Sequence, residues 1–159
     1  MAGNDELMHH IKCKPGDIGR YVILPGDPGR VEKIAAYLDD AHHVQTYREY
    51  TTWTGYLDGE MVTVMSTGMG GPSTAIGVEE LKKCGADTLI RVGTCGGIDP
   101  DIVPGTLIIP TGAIRKEGTG REYVPIEFPA VPNFDLVAAL RAAADKLGYK
   151  HALGVVECK

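Results

Sequence analysis

Three arginines and three glycine-rich segments are the parts of this sequence best suited to chemistry. Arg30 closes "LPGDPGR", Arg91 opens "RVGTCGG", and Arg48 lies within "TYREY". The third glycine segment, "STGMGGPS", covers residues 66–73. Glycine lets main-chain N–H groups approach a ligand closely, and a guanidinium adds charge-assisted hydrogen bonds worth about 1.5–3 kcal/mol each. Two or three arginines beside such loops suffice to hold a phosphate dianion. Arg91 is flanked by apolar residues in "TLIRVGT", where an unpaired buried charge is costly. It therefore reaches either an anionic ligand in a cleft or a carboxylate in a structural ion pair. For Arg48 the alternative is an ordinary exposed arginine.

The kind of phosphate follows from the motifs that are missing. No Gly-Lys-Ser/Thr is present, so there is no Walker A loop. In the dinucleotide fingerprint Ser73 stands where the third glycine belongs, and the next strand ends in glycine and threonine rather than in a ribose-binding acid. Free inorganic phosphate is the simplest remaining anion. Asp27 would repel it, so its carboxylate is expected to turn away and cap the following helix. Cys95 lies among glycines but has no partnering base nearby in sequence. His42-His43 reads as a solvated turn after a helix, and His9-His10 as an N-terminal tail without metal spacing.

The elements that must position these loops alternate. Tyr21–Leu24 reads as a strand, and Val31, Ile34, Ala35 and Leu38 give the stripe of a helix over 31–38. "VQTYREYTTWTGYL" and "MVTVMST" are β-rich and joined by Asp58-Gly59, a strong hairpin signal. A helix through "TAIGVEELKKC" closes at Gly85, with Glu79 and Lys83 on its outer face. "DTLIRVGTCGG" is a strand entering the glycine loop. "TLIIPTGAI" is another, whose Pro110 points to an edge or a bulge. "REYVPIEFPAVPN" reads as irregular. Asn133 caps a helix whose buried stripe is Val137, Leu140, Ala144 and Leu147, ended by Gly148, and "ALGVVEC" is a last strand. The expected fold is α/β: three layers, with a mixed and largely parallel twisted sheet flanked by helices. If the strands are parallel neighbours, the three glycine loops meet beyond their carboxyl ends in one cleft.

The 159 residues fit one domain, 1–159, and the chain's end on an apolar strand reads as a C-terminal truncation. A net charge of −5 argues against a nucleic-acid grip, and no apolar run has the length of a membrane span. Four cysteines without C-x-x-C or zinc spacing read as free thiols in a reducing, cytoplasmic setting.

Taken together, "PGDPGRVEKIA", "REYTTWTG", "STGMGGPSTAIGVEEL", "RVGTCGGI" and "PIEFPAVPNF" resemble the nucleoside phosphorylase family. "EFPAV" brings the chain closest to the uridine phosphorylases within it. The resemblance implies reversible phosphorolysis of uridine to uracil and ribose 1-phosphate. By motif, Gly26, Arg30, Arg91 and Thr94 would bind phosphate, joined by Arg48 of a neighbouring subunit. His10 would reach the ribose of the partner's site, with Thr94 also at the ribose. Glu49, Met69 and Ser73 match positions that hold a potassium ion at a subunit interface in some members; no other cofactor is implied. The implied assembly is a homo-oligomer, dimers built into a hexamer, with phosphate and nucleoside as ligands. Cys95 replaces a hydroxyl residue common in the family. The residues that read the uracil edge would lie beyond Lys159, so the isolated chain is expected to bind phosphate weakly and turn over little or nothing. The alternatives are a purine phosphorylase, a water-using nucleosidase of the same fold, and a non-catalytic truncated paralogue that assembles with partners.

Overall fold

The computed structural model describes residues 6–158. They fall into two compact units, Met1–Thr94 and Cys95–Lys159, taken in turn.

The first unit is built on a five-stranded sheet in the order β2-β3-β4-β1-β5. Its strands are β1 (Tyr21–Pro25), β2 (Asp39–Tyr47), β3 (Tyr50–Leu57), β4 (Glu60–Met65) and β5 (Thr88–Val92). β1 runs parallel to both β4 and β5, while β3 is antiparallel to β2 and β4. The sheet is mixed, as expected. Alternate residues of β1 feed two cores, as the period of two requires. Val22 and Leu24 join Tyr50, Met65, Leu81 of helix α2 (Gly71–Lys83) and Cys84, which caps that helix's C-terminus. Ile23 faces the other way, with Val64, Trp53 and the residues Val31 and Ala35 of helix α1 (Val31–Ala35). Helix, sheet and helix thus make the three layers of this unit.

Several local expectations hold. Asp58 (φ 51°) and Gly59 (φ 81°) make the β3–β4 hairpin turn with both central residues left-handed. Asp27 Oδ1 accepts from Gly29 N at 2.9 Å and caps a 3-10 turn, Pro28–Arg30, that leads into α1. Gly85 follows α2 with φ 107°.

Others need correction. The helix expected over 31–38 stops at Ala35, because the chain tightens there: Tyr37 N and Leu38 N bond to the carbonyls three residues back. His42 and His43 are strand residues of β2, paired with Thr54 and Trp53, rather than a turn. "VQTYREYTTWTGYL" is two strands, with Arg48 (φ 55°) and Glu49 in the turn between β2 and β3. Nor is His9-His10 part of a loose tail. Met8, Ile11 and Cys13 are buried in the core, and Met8 N bonds to Cys13 O at 2.8 Å.

The second unit contains β6 (Leu107–Arg115), α3 (Thr119–Tyr123), α4 (Phe134–Leu147) and β7 (His151–Cys158). β6 and β7 are parallel, with the expected bulge between Pro110 and Gly112. Asn133 Oδ1 caps α4 by accepting from Leu136 N at 3.0 Å, and Gly148 ends it at φ 71°. The segment "REYVPIEFPAVPN" is irregular except at its start, where Arg121–Tyr123 belong to the one-turn α3. Arg115 gathers the carbonyls of Pro125, Ile126 and Phe128 and so holds this loop together. Of the four residues expected on the buried stripe of α4 only Ala144 is buried; Val137 is half-buried, and Leu140 and Leu147 are exposed. A two-stranded sheet offers one helix too little surface to enclose that face.

Candidate phosphate site

Three parallel neighbours, β4, β1 and β5, end on the same side of the first unit. The loops that follow them meet in a cleft of about 640 Å³. Its lining comes from Gly26, Asp27, Pro28 and Arg30 after β1, Gly68, Met69 and Gly70 after β4, and Arg91, Gly93 and Thr94 of β5 and its loop. Glu49, from the β2–β3 turn, completes it. The site is where an open α/β sheet places ligands, beyond the carboxyl ends of its strands.

Arg91 is the cleft's best-positioned cation. Its Nη1 donates to Leu24 O at 3.2 Å and to Val92 O at 2.6 Å. A Cβ on Gly26 would come within 2.9 Å of Nη2, and one on Gly93 within 2.8 Å of Nη1. Glycine at both positions lets the guanidinium lie directly against main chain. Nη2, on the Gly26 side, has no protein acceptor among the described residues. The sequence suggested a buried Arg91; it is exposed, because β5 is an edge strand and nothing in the first unit pairs beyond it. It also has no ion pair with a carboxylate among the described residues, which removes the structural-pair alternative. An exposed, oriented and unpaired cation fits an anion-binding role.

Arg30 is the second cation, half-exposed, its Nε 3.9 Å from Asp27 Oδ2. Asp27 caps its turn as expected but still lines the cleft, so Arg30 offsets its charge there. Gly70 is the N-cap of the 13-residue α2, which brings the positive end of that helix's dipole to the same place. Gly68 sits at φ 68°, and a Cβ there would meet Glu49 Cβ and Cγ at 2.9 Å. That close approach is what packs the β2–β3 turn against the β4 loop.

The cleft therefore brings together Gly26, Arg30, Glu49, Met69, Arg91 and Thr94 of the residues singled out in the sequence. Three others lie outside its lining. Ser73 is in the first turn of α2, with its hydroxyl 3.4 Å from Met69 O and 3.3 Å from Gly70 O. Arg48 is exposed beside Glu49, its guanidinium 5.5 Å from the centre of the Tyr47 ring. His10 is held elsewhere in the unit by Glu80. Cys95 belongs to the second unit and is an exposed free thiol. By contrast, burial pushes the Cys13 and Cys84 thiols up to about 11 and about 12.

Glu80 is the residue that the sequence reading missed. It lies on α2 at the spacing of the buried Gly77, Leu81 and Cys84. That spacing was the available signal: a carboxylate on the apolar face of a helix needs a partner. Among the described residues no cluster of three acidic, histidine or cysteine side chains could hold a metal, and no helix is long and apolar enough to cross a membrane.

Residues 20–158 match the phosphorylase superfamily. The chain is 62% identical over 151 residues, 95% of its length, to a uridine phosphorylase of Treponema pallidum, covering 58% of that protein. It is 51% identical to a uridine phosphorylase of Thermococcus kodakarensis, over 94% of this chain and 54% of that protein. A guanosine phosphorylase of Halorubrum lacusprofundi is 43% identical, over 86% of this chain and 56% of the relative. The chain thus spans about half the length of the curated relatives it matches. The match extends through both units and includes every loop of the cleft, and by it the chain belongs to the phosphorylase superfamily.

Proposed function

We propose that the chain carries the phosphate side of a uridine phosphorylase, a pentosyltransferase that converts uridine and phosphate to uracil and ribose 1-phosphate. The observation that carries this reading is the convergence of Gly26, Arg30, Arg91 and Thr94 on one cleft at the carboxyl ends of β1 and β5. Both of the chain's most similar named relatives above are uridine phosphorylases, which supports uridine over guanosine.

The chemistry suits such a cleft. As the glycosidic C–N bond lengthens, positive charge grows on the sugar and the electron pair leaves with the base. A phosphate dianion held by Arg30 and Arg91 stabilises that charge and then attacks C1′, so no enzyme nucleophile is needed. Cys95 has no part in it. Thr94, which lines the cleft, in this reading gives its hydroxyl to both phosphate and ribose. In this reading Arg48 and His10, both outside the lining of their own chain's cleft, act on the site of a neighbouring copy, which makes the working unit at least a dimer.

In the same reading Glu49, Met69 and Ser73 hold a potassium ion at the interface with a neighbouring copy. Glu49 carboxylate, Met69 carbonyl and Ser73 hydroxyl are all oxygen ligands of the kind hard cations take. Their part would be to tie the β2–β3 turn to the start of α2.

The test is release of free base from uridine and from guanosine, with phosphate and with water alone. It is run on the 159-residue chain and on the longest open reading frame that contains it. Phosphate-dependent release of uracil is the expected result, with little or none from the 159 residues by themselves. Release of guanine alone moves the assignment to purine nucleosides, and release without phosphate makes the protein a nucleosidase. Phosphate binding without release from either substrate makes it a non-catalytic module.

A further inference from the structure

Among the described residues Glu80 is the only buried side chain that carries a charge, and its hydrogen bonds go to one short segment. Its Oε2 accepts from His10 N at 2.9 Å and from Ile11 N at 2.8 Å. Its Oε1 lies 2.7 Å from His10 Nδ1 and 3.1 Å from His10 N. The His9 ring packs edge-on against the His10 ring with centroids 4.7 Å apart. The imidazole is therefore gripped at Nδ1 and on one side, while about a third of the side chain reaches solvent.

The proton on that imidazole follows from the partners of Glu80. Main-chain N–H groups can only donate, so both carboxylate oxygens act as acceptors. Burial alone would raise the carboxyl's pKa, but the bonds from Ile11 N, the His10 ring and His10 N outweigh it and hold it below the usual carboxylate range. An ionised carboxylate has no proton to give, so Nδ1 must supply the one between them. In the neutral ring this leaves Nε2 unprotonated.

We infer that Glu80 is a positioning residue that fixes His10 as the Nδ1–H tautomer and presents its Nε2 as a hydrogen-bond acceptor for a ligand hydroxyl. That the hydroxyl belongs to ribose rests on the function proposed above; the tautomer does not. The device selects a neutral donor at that point over an anion, since a lone pair there would repel one.

The experiment is long-range proton–nitrogen NMR on the histidine-labelled chain at a pH where His10 is neutral, with its signals assigned by their loss in His10→Gln. The expected wild-type spectrum has a pyrrole-like Nδ1 and a pyridine-like Nε2. In Glu80→Gln the amide oxygen takes the two main-chain donors and its NH2 turns to Nδ1, so the two nitrogen signatures exchange. A wild-type ring protonated on Nε2, or averaging between tautomers, overturns the inference, and that spectrum decides even if the variant fails to fold. In the uridine assay Glu80→Gln is expected to raise KM several-fold at nearly constant kcat. A fall in kcat at unchanged KM would contradict a role at the sugar. The stated tautomer in a protein that leaves uridine untouched supports the role of Glu80 and fails the uridine reading instead.

Discussion

The first unit encloses a sealed apolar core, whereas in the second most apolar residues are at the surface. Tyr50, Met65, Leu81 and Val64 are all but sealed from solvent between the sheet and its helices. Of the second unit's described residues only Ile109 and Ala144 are buried, while Phe134 is 82% exposed and Leu147 67%. Both units have strands and an amphipathic helix of similar length. They differ in area: five strands cover a helix on each face, and two strands cannot. The lesson is that an apolar stripe tells which side of a helix wants cover, not whether cover is there. The candidate cleft is lined wholly by residues of the better-packed unit, whose sheet fixes the three loops that form it.

The contrast can be broken most forcefully by paired truncations. Leu81→Ala should lower the unfolding free energy of the chain by about 2–5 kcal/mol, as for other sealed core leucines. Gly68→Ala comes next, at roughly 1–3 kcal/mol, because it combines a left-handed backbone with a clash against Glu49. Both are read from urea midpoints. Leu147→Ala, on the exposed stripe, should fall within about 0.5 kcal/mol of the parent. A large loss there would mean that α4 is covered after all.

Acid sharpens the same contrast, since the buried charge lies in the first unit. The Glu80 carboxyl is held below its ordinary value of 4.5 in the folded chain. Its stabilising contribution is therefore complete above that value and lost as the pH falls through the lower, folded one. Denaturant midpoints measured from pH 7 down to pH 3 should show a decline that is reduced in Glu80→Gln. An unchanged acid slope in the variant would assign the decline to other carboxylates.

Much of the cleft was legible because glycines at the ends of apolar strands are local signals. "LPGDPGR", "STGMGGPS" and "RVGTCGG" each announce a strand end, and parallel neighbours bring them together. The exposure of Arg91 was not legible, because strand order makes β5 an edge and order is set by tertiary packing. His42 and His43 became strand residues for the same reason, through pairing with β3. The bond between His10 and Glu80 spans seventy residues, beyond any local pattern. Caps at Asp27, Asn133 and Gly148 were read correctly because a cap is satisfied within its own turn.

The central claim is that the cleft holds phosphate through Arg30 and Arg91. Its most direct test is calorimetric titration of the 159-residue chain with inorganic phosphate at low chloride, beside Arg30→Ala and Arg91→Ala. The account predicts weak one-site binding that falls by roughly 10- to 150-fold in Arg91→Ala, the loss of one charge-assisted hydrogen bond. Arg30→Ala should weaken it in the same direction. Phosphate binding left unchanged by both substitutions would contradict the account and place the anion elsewhere on the chain.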